Sequence, residues 1–229
     1  MKLYSVCDGP PSLTCRTTLK ALNIPYELID ISYNSGEHFT DEYAKLNPQR
    51  QIPVLDDDGF LLSEHIAISQ YLCDKYAPNA SIFPQDPNVR ALITQRMCFN
   101  MAYLYPPILR YAIDPIFFDY QRDAEGLKKV QDVLSTFEEY LKRVGKKYAV
   151  SDNVTIADFA FVSTIICLEA VEITFDEFPL ITKWYNNFKK ENPEEWAVAE
   201  EAMKLITEYE KNTPDLSKLN HPVHPRKIL

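Results

Sequence analysis

The sequence predicts an α/β domain followed by an all-helical domain. Strand-like and helix-like patterns alternate up to residue 76, a segment with three prolines follows at 78–87, and only helical periodicity occurs beyond it. We therefore expect an α/β domain at 1–78, a linker at 79–87 and a helical domain with a C-terminal tail at 88–229.

The first 31 residues predict a strand, a helix and a second strand. Residues 2–6 are typical of a short strand, and Pro10-Pro11 suits the first turn of a helix that carries Leu13 and Leu19. Residues 26–31 then alternate apolar and polar side chains, as a half-buried strand does. Together they predict a β-α-β unit.

The next 45 positions complete the domain. A short helix at 41–46 precedes strands at 52–55 and 60–62, which the turn Asp57-Asp58-Gly59 joins into a hairpin. The hairpin leads into a helix at 64–76. The order β-α-β-α-β-β-α is that of a thioredoxin-like domain.

The second half predicts only helices. The first is long, and Pro106-Pro107 and Pro115 should break or kink it. Further helices fit 124–144, 156–171, 178–191 and 194–210, and Thr155 with Asp158 has capping-box spacing. Residues 212–229 lack periodicity, so we expect a coil laid on the surface or partly disordered.

Composition excludes several classes of function. The 229 residues carry a formal charge of −9, which disfavours nucleic acid and anionic membranes as partners. The five cysteines include no CxxC pair, and this favours a cytosolic protein without disulfides or a zinc site. His221 and His224 have a spacing that could bind a metal, but we expect none there.

A set of short motifs resembles the insect delta/epsilon class of cytosolic glutathione transferases. The resemblance covers about residues 1 to 210 and is specific as a set rather than in any one motif. The matching residues are Tyr4, Pro11, Lys20-Ala21-Leu22, Gly36-Glu37-His38, Asn47-Pro48-Gln49, Ile52-Pro53, Glu64, Ala67-Ile68, Gln95-Arg96, Phe99, Met101, Thr155-Ile156-Ala157-Asp158 and Phe178-Pro179.

The resemblance implies an enzyme that conjugates reduced glutathione, its co-substrate, to small hydrophobic electrophiles without a further cofactor. It also implies a homodimer, with contacts expected at Arg96, Met97, Met101 and the helix after Glu64. Two alternatives remain open. One is a binding or interaction protein of the same fold, and the other is a glutathione-dependent isomerase or peroxidase.

Glutathione carries two carboxylates and one ammonium group, so its site needs cations, N–H donors and one anion. Arg50, where the family usually has histidine, can hold the glycyl carboxylate with help from His38, and Glu64 can pair with the ammonium group. His65 replaces the family's serine, and a cis Ile52-Pro53 bond would present the Ile52 backbone to the ligand. The expected site comprises Ser12, His38, Arg50, Gln51, Ile52, Pro53, Glu64 and His65.

The largest departure from the family lies at the catalytic position. An ungapped match places Gly9 where the family has the serine that bonds the glutathione sulfur, and Gly9 has no hydroxyl. Ser12 is the nearest candidate, although it could equally be a serine that only satisfies the helix start. The string Pro11-Ser12-Leu13 also resembles the helix start of the bacterial beta-type transferases. Tyr4, Ser5 and Cys7 are weaker alternatives.

Aromatic and aliphatic residues on the long helix are candidates for the electrophile site. Side chains at this spacing are also typical of a helix core, so we expect only some of them to line a pocket. The candidates are Tyr103, Tyr105, Ile108, Tyr111, Phe117 and Phe118.

Overall fold

A four-stranded mixed sheet lies at the centre of the N-terminal half in the computed structural model, which describes residues 1–227. The predicted tail coil includes Ile228 and Leu229, which lie outside the described residues. The strands are β1 (Lys2–Ser5), β2 (Glu27–Asp30), β3 (Val54–Asp57) and β4 (Phe60–Ser63). Their order is β2-β1-β3-β4, with β1 parallel to β2 and the other two pairs antiparallel.

Three helices cover the two faces of this sheet: α1 (Pro10–Ala21), α2 (Asp41–Leu46) and α3 (His65–Tyr76). On one face, Leu19 of α1 and Leu72 of α3 pack on Leu3 and Leu55 of the sheet. On the other face, Tyr43 of α2 packs with Ile31 and Val54. Each fully buried leucine contributes about 1.5 to 3 kcal/mol. The predicted thioredoxin-like order is confirmed.

The remaining helices form the C-terminal half. The Asp86 carboxylate accepts hydrogen bonds from the Asn88 and Val89 N–H groups at 2.9 Å and so caps the first of them. The helices of this half are α4 (Pro87–Phe99), α5 (Tyr105–Ile108), α6 (Asp114–Phe117), α7 (Ala124–Val144), α8 (Ile156–Ala170), α9 (Pro179–Glu191) and α10 (Pro193–Lys211).

The long helix that runs from α4 to α6 does not break at its prolines, and a kink there stays a prediction. Two π-helical segments, Asn100–Leu104 and Leu109–Ile113, join α4, α5 and α6 into one helical path. In each segment the closing bond spans five residues, from Tyr105 N–H to Asn100 O and from Asp114 N–H to Leu109 O. The wider turns accommodate Pro106, Pro107 and Pro115, which lack N–H donors.

The buried helix α8 begins at the predicted capping box. The Asp158 carboxylate, fully buried, accepts from the Thr155 N–H (2.8 Å), the Ala149 N–H (2.9 Å) and the Trp184 Nε1–H (2.8 Å). These bonds tie α8 to α9 and to the preceding loop. Within residues 1–227, no helix is both long enough and apolar enough to cross a bilayer.

Helix α1 packs against both halves of the chain. The Thr14 hydroxyl lies 3.2 Å from the Ser163 hydroxyl in α8, and the Arg16 guanidinium is 2.8 Å from the Glu201 carboxylate in α10. Leu13 belongs to the same apolar cluster as residues of the helical half. The N-terminus of α1 is thereby fixed at the seam between the two halves.

Two of the residues expected at a dimer contact, Arg96 and Met97, are enclosed within the chain itself, which corrects that part of the prediction. Met97 is fully buried, and Arg96 is 6% exposed with its guanidinium 4.0 Å from the centre of the Tyr140 ring. Met101 is 37% exposed. These contacts were implied by the family resemblance, which did not indicate which side chains of α4 lie on its inward side.

Candidate functional site

A cavity of about 620 Å³ opens between the edge of the sheet and the long helix. The loop after β1 and the first residues of α1 form its floor. One wall carries polar side chains from the N-terminal half, and the opposite wall is mainly apolar and comes from the helical half. Six of the lining residues are Gly9, Arg50, Glu64, Tyr105, Asp114 and His224.

Ser12 lies beneath the floor rather than on it. Its side chain is 1% exposed, and its Oγ accepts a hydrogen bond from the Val6 N–H at 3.3 Å. Pro10 and Pro11 lack N–H groups, so the Ser12 N–H is the first available donor of α1, and it has no acceptor among residues 1–227. Ser12, the nearest candidate for the activating group, therefore does not present its hydroxyl to the cavity in this structure, because neighbouring atoms cover it.

Val6 is one of the residues that cover the hydroxyl. A Cβ added to Gly9 would lie 2.6 Å from Val6 Cγ2 and 3.8 Å from Ser12 Oγ. The Val6 side chain thus occupies the space that a side chain at position 9 would need. A serine at position 9 would require the Val6 side chain to turn away.

A strand-like edge of backbone borders the cavity next to the floor. The Ile52-Pro53 peptide bond is cis, as predicted. Gln51 O accepts from the Tyr43 hydroxyl (3.1 Å) and the Asn47 side-chain amide (2.9 Å), which fixes the loop. The Ile52 N–H and C=O have no hydrogen-bond partner within residues 1–227. This pair can bind the backbone of an extended peptide.

Arg50 and His38 lie together at one end of the polar wall. The Arg50 guanidinium donates to Phe39 O and lies 2.9 Å from the Asp41 carboxylate, which holds it in place. His38 is 3% exposed, stacks on the Tyr33 ring at 4.7 Å, and has a buried Nδ1 with no partner among the described residues. Burial lowers the pKa of His38 to about 4, so its imidazole is neutral at pH 7.

Glu64 and His65 lie where β4 meets α3. Glu64 precedes the first turn of α3 with a positive φ of 69°, a conformation that costs about 1 to 3 kcal/mol for a residue with a side chain. Its carboxylate is exposed at the cavity edge. His65 is 3% exposed, and burial lowers its pKa to about 4. The His65 imidazole is therefore neutral at pH 7.

Three of the six residues predicted for the electrophile site line the cavity: Tyr105, Phe117 and Phe118. The other three do not, which corrects the prediction. Tyr103 is 66% exposed on the outside of the helix, Ile108 is fully buried in the core, and Tyr111 packs near Gly126.

The cavity face of the long helix repeats every four residues. A helix that mixes α and π turns has roughly four residues per turn, so every fourth side chain returns to the same face. The residues on this face are Met101, Tyr105, Leu109, Ile113 and Phe117. The prediction selected aromatic residues by type and missed this spacing, which the sequence does contain.

The C-terminal tail also contributes to the cavity, which the sequence did not predict. His221, Val223 and His224 line the cavity, although residues 212–227 were expected to form a surface coil or to be partly disordered. These residues have no helical or strand periodicity. No pattern in the sequence indicated where the tail would lie.

Comparisons with known proteins agree with this geometry. Residues 1–74 match the family model "Glutathione S-transferase, N-terminal domain", and residues 100–192 match "Glutathione S-transferase, C-terminal domain". A diazinon-metabolizing glutathione S-transferase of the silkworm Bombyx mori has a similar structure, with a TM-score of 0.85 and 47% identity over 90% of this chain and 98% of that one.

Two further solved structures belong to named insect classes. A delta-class glutathione transferase of Nilaparvata lugens has a TM-score of 0.85 and 33% identity over 92% of this chain and 98% of that one. An epsilon-class enzyme of the housefly, Musca domestica, has a TM-score of 0.78 and 33% identity over 91% and 97%. The chain therefore belongs to the glutathione S-transferase family, and its structural neighbours include insect enzymes of the delta and epsilon classes.

Proposed function

We propose that the protein conjugates reduced glutathione to small hydrophobic electrophiles in the cavity between its two halves. The observation that carries this proposal is the meeting of a polar, peptide-binding wall and an apolar wall at the N-terminus of α1. Such a cavity holds a charged tripeptide on one side and an apolar partner on the other, with the reacting atoms between them.

Glutathione would lie along the polar wall in an extended conformation. Its cysteinyl backbone would pair with the Ile52 N–H and C=O, with Gln51 and Pro53 shaping the loop. Arg50 and the neutral His38 would donate to the glycyl carboxylate, and the Glu64 carboxylate would accept from the γ-glutamyl ammonium group. The N-terminus of α3, which begins at His65, would favour the adjacent carboxylate.

The glutathione sulfur would then lie above Gly9, at the N-terminus of α1. Only the thiolate attacks an electrophile well, and a free thiol with a pKa of about 8.5 is mostly protonated at neutral pH. We propose that Gly9 replaces the family's catalytic serine and that the Ser12 N–H and hydroxyl stabilise the thiolate, with Ser12 as the catalytic residue. The 3.8 Å between Ser12 Oγ and the position of a Cβ on Gly9 supports this, provided that Val6 turns aside.

The electrophile would bind against the apolar wall. Tyr105, Phe117 and Phe118 supply aromatic surface there, and Leu109 and Ile113 complete it. Because the silkworm relative metabolises diazinon, diazinon is a candidate substrate for this chain as well.

A protein that binds glutathione without activating it is the second candidate. The observation that favours it is the covered Ser12 hydroxyl, which is 1% exposed and bonded to the Val6 N–H. If Val6 stays in place when glutathione binds, only the Ser12 N–H and the dipole of α1 can stabilise the thiolate.

We further propose that the protein is a cytosolic homodimer with the domain limits predicted above. Exposed apolar side chains outside the cavity support a dimer face near β4 and α4. They include Phe60 at 49% exposure, Leu61 at 39% and Leu92 at 41%.

Turnover of a general aryl halide with glutathione, in wild type and in Ser12→Ala, tests the proposed reaction. We expect wild type to form the conjugate and Ser12→Ala to lose about tenfold or more in kcat/KM, because one hydrogen bond to an anion is removed. Ser69→Ala is the matched control, since Ser69 is a fully buried serine of the same half and its hydroxyl accepts from the Thr18 hydroxyl at 3.3 Å. Unchanged turnover in Ser12→Ala would remove Ser12 as the activating group, and no turnover by wild type would favour the binding protein.

A further inference from the structure

The C-terminal tail follows a defined path across the end of the long helix. The Asp119 N–H donates to Pro225 O at 3.1 Å, and Lys227 Nζ donates to Pro115 O at 2.8 Å. Leu219 is 4% exposed and anchors the segment. These contacts hold residues 219–227, here called the tail segment, against α6 and the residues that follow it.

His224 is the best-held side chain of the tail segment. Its ring stacks on Phe118 at 4.4 Å between centroids, and its Nδ1 lies 3.0 Å from the Tyr120 hydroxyl. Since a phenol usually donates to an imidazole nitrogen, this bond leaves the Nε2–H as the donor on the other side of the ring. His224 also lines the cavity, so the tail segment forms part of its wall.

Asp114 lies on the same part of the cavity wall. The residue is 6% exposed, and the one hydrogen-bond partner of its carboxylate among residues 1–227 is the Arg110 guanidinium, at the long distance of 3.5 Å. Burial raises the pKa of Asp114, and the nearby His224 and Arg110 partly offset that rise. A buried carboxylate with one weak partner is costly unless a further donor reaches it.

The charges around the cavity indicate the kind of group that would reach Asp114. Four acidic residues line the cavity, Asp8, Asp30, Glu64 and Asp114, and Arg50 on the polar wall is the one Lys or Arg that does so among the described residues. An anionic group would be repelled at the Asp114 end. A cationic group or a neutral hydrogen-bond donor would be attracted to it.

We propose that Asp114 and His224 form a polar subsite that selects electrophiles with an ammonium, amine or hydroxyl group remote from the reacting carbon. Asp114 accepts a hydrogen bond from that group, and His224, held by Tyr120 and Phe118, closes the subsite from the tail segment. The inference rests on the proposed function, because it assigns a preference to the electrophile side of the same cavity.

The test uses two aryl halides that differ only in a substituent remote from the reacting carbon, aminomethyl in one and ethyl in the other. We expect wild type to prefer the aminomethyl compound. In Asp114→Asn the ratio of the two kcat/KM values should fall about tenfold, mainly through KM, because a charge-assisted hydrogen bond is lost. Asp119→Asn is the matched control, since Asp119 is an exposed carboxylate five residues further along the chain.

An equal loss for both compounds in Asp114→Asn would overturn the subsite, because a purely structural role affects both alike. If Asp114→Asn fails to fold, as its thermal melting would show, His224→Gln replaces it and should lower the same ratio.

If wild type turns over neither compound, the proposed function fails, and the subsite is tested by calorimetry instead. S-(6-aminohexyl)glutathione should then bind about tenfold more tightly than S-hexylglutathione to wild type and equally tightly to Asp114→Asn. Equal affinities in wild type, or no binding of either, would overturn the subsite.

Discussion

His65 shows how burial determines the charge of a single residue at the site. It is the first residue of α3 and is 3% exposed, and burial lowers its pKa to about 4. In the unfolded chain the pKa returns to about 6.5. His65 is therefore neutral in the folded protein at pH 5 to 6, whereas the unfolded chain binds a proton there.

This difference predicts a loss of stability as the pH falls from about 6.5 to about 4. The unfolded state binds more protons in that window, so the free energy of unfolding decreases by up to about 3 kcal/mol from His65 alone. His65→Gln should make the curve of unfolding free energy against pH flatter, as measured by urea denaturation from pH 4.5 to 7.5. Burial also lowers the pKa values of His38 and His221 to about 4. The unfolding free energy of His65→Gln should therefore still decrease with falling pH, but less steeply than that of wild type. If the pH dependence of the unfolding free energy in His65→Gln equals that of wild type, His65 does not have the lowered pKa described above.

At the scale of elements, Asp57 joins the end of β3 to α3. Its buried carboxylate accepts hydrogen bonds from Lys75 Nζ (2.6 Å), the Tyr71 hydroxyl (2.6 Å) and the Tyr76 hydroxyl (2.7 Å). Burial would raise the pKa of Asp57, but these three hydrogen bonds outweigh it and lower the pKa to about 2. The carboxylate thus remains ionised and holds α3 in place behind the glutathione wall.

Asp57→Asn should lower the free energy of unfolding by about 3 kcal/mol, because it removes the charge and replaces one acceptor oxygen by an amide NH2 group, which faces donors. Urea denaturation at one fixed protein concentration measures this effect. Asp58→Asn is the adjacent control, since the Asp58 side chain is 94% exposed, and it should change stability by less than about 0.5 kcal/mol. Similar effects of the two substitutions would contradict the role of Asp57.

Most elements could be predicted from local patterns, and those that could not depend on longer-range geometry. Leu3, Leu19 and Leu55 follow the alternation or helical spacing of a buried face, so the strands and helices of the first half were predicted. The path of the long helix was not, because proline argues against helix and no local signal favours π turns at Pro106 and Pro107. Tyr103 and Tyr111 were placed in the cavity because they are aromatic, whereas the four-residue spacing of the cavity face includes Tyr105, Leu109 and Ile113 instead.

At the scale of the whole molecule, the site depends on how the two halves and the tail segment meet. Arg16 joins α1 to both sides of the seam, with one nitrogen 3.1 Å from Cys7 O and the other 2.8 Å from the Glu201 carboxylate. The motifs around Ile52-Pro53 and Glu64 predicted the polar wall. The sequence could not predict that Asp114 and His224 line the same cavity, because they lie 110 positions apart and no periodic pattern places the tail.

The central claim is that this assembled site ionises glutathione despite the glycine at position 9. An ultraviolet titration of thiolate absorbance, performed on glutathione bound to the full-length protein, tests it most directly. We predict a bound thiol whose pKa lies at least about one unit below that of free glutathione, which corresponds to about 1.4 kcal/mol of preference for the thiolate. Tight binding with an unshifted thiol pKa would contradict the claim and would identify a protein that holds glutathione without activating it.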